Sequence, residues 1–129
     1  MSLRLLLLIH GIITLAAGIV LIIAPALIPS TVDITLSKEQ YFLSYLVGTS
    51  ELAIAFLSFA GRNITDIKSA HIIVWTLIIF HAATALVEVY AYAHGLSNKI
   101  LPNVALRAVI SLLFWYYGIC KTTHPSSHQ

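Results

Sequence analysis

Four long apolar stretches fill nearly all of this 129-residue chain, and each gathers its few polar residues onto one stripe at helical spacing. Hydrophobic residues make up 59% and charged residues only 9%, against about 25% charged in an ordinary soluble domain. A soluble fold of this size needs far more polar surface to cover itself. The chain therefore reads as an integral membrane protein, a single transmembrane domain over residues 1–129. Seven basic and five acidic residues leave a formal charge of +2, too weak and scattered for a nucleic-acid footprint. The single cysteine, Cys120, cannot make an internal disulfide and gives no sign of an oxidising compartment.

The expected spans are residues 3–27, 40–60, 69–94 and 102–120, each near the ~20 residues that cross a ~30 Å hydrocarbon core as a helix. Pro25, Pro29 and the polar run 30–39 separate the first two; Gly61-Arg62-Asn63 opens the second loop; residues 95–99 make the third. Pro102 falls at a first-turn position, where its missing N–H costs nothing. Short loops between four helices predict an all-α, up-down-up-down bundle. Arg4, Arg62, Lys68 and Lys121 lie on the side of both termini, with Lys38 and Lys99 opposite. The positive-inside rule then puts the termini in the cytoplasm of a plasma or inner membrane. Trp115, Tyr116 and Tyr117 fit an interfacial aromatic belt.

Two patterns pull the other way. Residues 1–26 carry Arg4 and a small-residue Ala24-Pro25-Ala26 site, as a signal peptide would, but the apolar region is longer than a signal core and includes His10, so a retained span is expected. Asn63-Ile64-Thr65 matches the glycosylation pattern, and glycan there would invert the orientation.

Residues three, four and seven apart share a helix face. The second span puts Tyr41, Ser44, Gly48, Glu51, Ala55 and Ser58 on one side; the third His81, Thr84, Glu88 and Tyr92; the fourth Asn103, Arg107, Ser111, Phe114 and Gly118; the first Gly11, Thr14 and Gly18, with His10 adjoining. The other faces are aliphatic and suit lipid. Small residues on the inner faces allow close helix approach. Counting 1.5 Å per residue from the outer ends puts Glu88 ~9 Å and Arg107 ~8 Å deep, with Glu51 at ~17 Å and His81 at ~20 Å. Two layers follow: an outer Glu88–Arg107 pair and a central Glu51–His81 pair, with Thr14 and Ser111 near the latter.

Charges at such depths normally face inward and pair. Glu88–Arg107 reads as a structural ion pair, or Arg107 as a contact for an anion or lipid headgroup. Glu51–His81 reads equally as a static hydrogen bond or as an acid–base pair for proton shuttling or isomerisation. His10, His71, His81 and His94 offer haem ligands in principle, yet the depth count finds no pair at one level. No Glu-x-x-His pair points to a di-iron bundle, and no phosphate loop or nucleophile motif appears. Cys120 beside Lys121 could carry a palmitoyl chain, with an unmodified thiol the plainer reading. The tail from His124 to Gln129 is too short and irregular for a metal site. The cofactor is left open.

The opening pattern from Gly11 to Gly18 followed by Pro25, the second span with Gly48 and Glu51 ending in Gly61-Arg62, and the four-span length resemble the DoxX-like group of small four-helix bacterial membrane proteins. The resemblance implies a link, through some relatives, to quinone-linked redox or oxidative-stress systems, and carries over no catalytic residue. A second likeness is to sterol-isomerase-like membrane proteins, whose helices enclose acidic residues in a lipid-accessible cavity. Three functions follow as expectations. One is a non-enzymatic accessory protein binding a lipid, quinone or other apolar small molecule, within a larger membrane complex or homo-oligomer. The others are an isomerase using Glu51 and His81, and a proton-coupled carrier.

Overall fold

The computed structural model describes residues 1–121, and the His124–Gln129 tail lies outside them. Helices and connecting turns make up the described residues, without a strand. Four helices are long and apolar enough to cross a membrane. They are α1 (Leu3–Ile23), α3 (Tyr41–Gly61), α4 (Ile67–Ala93) and α5 (Leu101–Phe114), the last opened by a 3₁₀ turn at Asn98–Ile100 and continued by a π-helical turn at Trp115–Cys120. A single helical turn, α2 (Leu27–Ser30), follows α1.

Local chemistry sets the ends. Ser2 caps α1 by accepting from the Leu5 N–H, and Asp66 caps α4 by accepting from the Ser69 N–H at 2.8 Å. The expected first span, residues 3–27, is corrected: α1 stops at Ile23 because the residue before a proline is pushed out of the helical region, and Ala24 sits at φ −130°, ψ 69°. The chain turns there, and the Ser44 hydroxyl fastens it by donating to the Pro25 carbonyl at 2.8 Å. At the end of α4, Gly95 takes φ +98°, while the Gly95 and Leu96 N–H groups return to the carbonyls of Tyr92 and Ala91. That is a Schellman stop, and it needs the glycine.

The helices pack as two intimate pairs, α1 with α3 and α4 with α5. Gly11 lies beside Phe59 and Gly18 beside Gly48, so α1 and α3 run antiparallel. Gly118 meets Val74 and Arg107 meets Glu88, so α4 and α5 do too. The outside is apolar, with Phe56 74%, Leu86 71% and Ile72 68% exposed. The inside divides along its length. Leu6, Leu7, Ile73, Val74, Leu77 and Phe114 form a packed core toward the terminal end of the bundle. His10, Ser58 and His81 make a polar layer above it, followed by Arg107, Glu88, Asn103 and Glu51 around an open cavity.

Most of the expected inner faces are buried as read: Gly11, Thr14 and Gly18; Ser44, Gly48, Glu51, Ala55 and Ser58; His81 and Glu88; Phe114 and Gly118. Tyr41, Thr84, Asn103, Arg107 and Ser111 are half-buried, and Tyr92 alone lies outside. It is exposed, because the last turn of α4 runs out to the Schellman stop without a partner helix over that face.

Candidate functional site

His10, Ser58 and His81 in the bundle centre each have a definite hydrogen-bond role, and the roles fix the protons. The Ser58 hydroxyl donates to the Ile54 carbonyl at 2.9 Å, so it can only accept from His10 Nδ1, 2.8 Å away. His10 in its neutral form then presents a bare Nε2. His81 Nε2, 2.7 Å from it, must be the donor. That leaves His81 Nδ1 as an acceptor, and Arg107 Nη1 faces it at 3.4 Å. One neutral tautomer of each ring satisfies the whole chain. Edge-to-face contacts hold the rings: His10 against Phe114 at 5.1 Å between centroids, His81 against Phe80 at 5.2 Å.

Arg107 joins this layer to the next. Its Nε donates to Glu88 Oε1 at 3.0 Å, its guanidinium lies 6.0 Å from the Phe80 ring centre, and Asn103 Nδ2 donates to the same Glu88 oxygen. The expected Glu88–Arg107 pair is therefore present, while the expectation of two separate layers is corrected: a guanidinium is long enough to touch both.

The central Glu51–His81 pair is also corrected. The nitrogens of both rings are engaged elsewhere, and Glu51 makes no hydrogen bond or ion pair among the described residues; it lines the cavity beside Glu88 and Arg107. Thr14 and Ser111 do not line that cavity. The Thr14 hydroxyl donates to the His10 carbonyl at 2.9 Å and Ser111 to the Arg107 carbonyl at 3.0 Å. In an apolar setting such back-bonding to the same helix is the nearest available acceptor. His10, Ser58 and Asn103 join the site instead. Ser58 and Asn103 already stand on the inner stripes, Asn103 one turn from Arg107.

The depth count misplaces His10. The first turns of α4 overhang the end of α3, and it is Ile73, two turns in, that meets Gly61. The overhang brings His81 level with His10. Haem ligation by this pair is not supported by the spacing: a metal held between two imidazoles at ~2.0–2.1 Å from each separates the nitrogens by ~4 Å, and these are 2.7 Å apart. Among the described residues no three His, Cys, Asp or Glu side chains cluster as a metal site.

The cavity beyond the polar cluster holds about 860 Å³, within the range of small-molecule sites. Leu21, Ile28, Val32, Leu43, Val47 and Leu106 wall it, and Glu51, Glu88, Asn103 and Arg107 form its floor. Leu43, Val47 and Leu106 line the cavity and are 57%, 51% and 53% exposed, and α3 and α5 do not pack closely against each other, so the cavity opens between these helices. Residues 28–36 cover its far end. Asp33, at φ 61°, latches this cover to the α4–α5 connection: its carboxylate accepts from Lys99 Nζ and from the Ser97 hydroxyl, both at 2.7 Å. At the opposite end of the bundle, Arg4, Arg62 and His71 line a smaller cleft of about 280 Å³.

The Lys99 ammonium, and then the Ser97 hydroxyl, hold the Asp33 carboxyl below the ordinary aspartate range. A depressed folded-state pKa means the latch contributes fully above the unfolded aspartate value of about 4 and weakens as pH falls through the lower folded value. The hydrogen-exchange protection factors of residues 28–36, with the intrinsic pH dependence of exchange divided out, are therefore expected to be level from neutral pH to about 4 and to fall below it. Asp33→Asn, which keeps a residue suited to positive φ, should show low protection factors at every pH; a protection profile like the wild type's would show that the carboxylate does not hold the cover.

Comparison with known proteins finds no matching family, no matching curated protein and no matching solved structure.

Proposed function

We propose that this chain is a multi-pass membrane protein that binds a lipid or another small amphipathic molecule within the bilayer, without catalysing its conversion. One observation carries this: a cavity of small-molecule size, with aliphatic walls and a charged floor, open to the side on the lipid-facing surface. Such a ligand enters from the membrane, lays its apolar body against Leu43, Val47 and Leu106, and brings its polar end to Glu51, Glu88, Asn103 and Arg107. The four helices cross alternately, and the Arg4–Arg62 end faces the cytoplasm by the positive-inside rule. The DoxX-like resemblance suggests a membrane redox system as the setting, with a quinone among the candidate ligands and a larger complex or homo-oligomer as the assembly. Nothing in the geometry favours isomerisation by Glu51 and His81, since only Glu51 faces the cavity. Proton transport is not favoured either, since the histidine chain ends at the fully buried Ser58 and passes through a guanidinium that keeps its proton.

Filling the cavity tests the function. Leu106→Trp should reduce amphiphile retained through mild-detergent purification, measured by native mass spectrometry, at least ten-fold, with the melting temperature maintained. Undiminished retention in the variant would overturn the cavity as the binding site.

A further inference from the structure

Taking the cavity as a binding site, we infer that it selects an amphiphile whose polar end donates hydrogen bonds, an alcohol or an amine, over one that ends in a carboxylate. The donor side chains around the cavity each already serve an acceptor of the protein. The Ser44 and Thr31 hydroxyls both donate to backbone carbonyls, at 2.8 and 2.7 Å. Lys99 is paired with Asp33 at the rim, and Arg107 is engaged by Glu88 and His81. Asn103 donates to Glu88. The acceptors are not committed. Glu88 Oε2 is the one buried side-chain polar atom without a partner among the described residues, and Glu88 is only 9% exposed. Glu51, 6% exposed, lines the same cavity with neither carboxyl oxygen hydrogen-bonded among the described residues.

A buried acceptor without a donor destabilises the site until something supplies one. Two acidic side chains also share a single guanidinium on the cavity floor. An O–H or N–H head group supplies the missing donor, and a carboxylate head does not, because it would sit beside Glu51 and Glu88 as a third acceptor.

The probes are 1-dodecanol, dodecylamine and sodium dodecanoate, which share one apolar tail, titrated into the full-length protein in lipid nanodiscs and read by the shift in melting temperature. Tighter binding of dodecanol or dodecylamine, with dodecanoate at least ten-fold weaker, upholds the inference, and the two donor probes separate a neutral from a cationic head. In Glu88→Gln the amide oxygen keeps the bonds from Arg107 and Asn103 and places an NH₂ where Oε2 stood, so the discrimination against dodecanoate should fall about ten-fold. Glu51→Gln gives a second reading at a side chain with no structural bond to lose. Equal binding of all three probes by the wild type overturns the donor-head inference and leaves the binding function standing. Binding of none overturns both.

Discussion

Gly48→Leu is expected to abolish the folded bundle, whereas Ala53→Leu, on the lipid-facing side of the same helix, should be tolerated. A Cβ at Gly48 would lie 3.0 Å from the Gly18 carbonyl oxygen, 3.0 Å from Ile22 Cγ1 and 3.1 Å from Leu21 Cβ; one at Gly18 would lie 2.9 Å from the Gly48 carbonyl oxygen. The two helices meet backbone to backbone, so no side chain can swing aside. Apolar helices gain nothing by leaving lipid for each other except packing, and this crossing supplies the closest packing between α1 and α3. Even Gly48→Ala should destabilise by about 1–3 kcal/mol, as overpacking does, and leucine adds three more carbons at the same point. Thermal melts and size-exclusion profiles in detergent measure the outcome. A Gly48→Leu protein that melts with the wild type would mean that α1 and α3 do not depend on this contact.

The same crossing shows why the fold was readable from residue order. Gly18 and Gly48 fall on stripes with Thr14 and Glu51, and those stripes alone predict that the faces turn inward. Lipid leaves a polar group no other destination. The Glu88–Arg107 pair followed from matching levels in adjacent spans.

What could not be read was partner choice inside the polar cluster. His10 and Glu51 both stand one helix away from His81, and which of them meets it depends on how far α4 overhangs the bundle, a matter of loop and cap geometry rather than of periodicity. The cavity was hidden for a different reason. Leu43, Val47 and Leu106 are the same aliphatic residues that face lipid everywhere else on the molecule, and only the separation of α3 from α5 turns them into walls. Thr14 and Ser111 illustrate a third limit: a hydroxyl on an inner face looks available until its own helix claims the proton.

Arg107→Leu is expected to be the most damaging change within the polar cluster. Glu88 Oε1 would keep only the Asn103 amide, Oε2 has no donor to begin with, and His81 Nδ1 would lose its facing N–H. Breaking a buried pair from one side leaves an uncompensated charge, a loss of about 3–5 kcal/mol. Lys99→Leu is the matched control. It too removes a cation from an ion pair, but that pair is 59% and 49% exposed at the end of the bundle, where water takes over the solvation of Asp33. Its melting temperature should stay near the wild type's. Arg107→Lys should recover only part of the loss, since one ammonium on a shorter reach cannot serve both Glu88 and His81 as the planar fork does. The combination Arg107→Leu with Glu88→Gln separates charge from packing. If the stranded carboxylate is the cause, neutralising it restores much of the lost stability. Should Arg107→Leu and Lys99→Leu melt together, or the double variant melt no higher than Arg107→Leu alone, the ion pair would not be what holds α4 against α5.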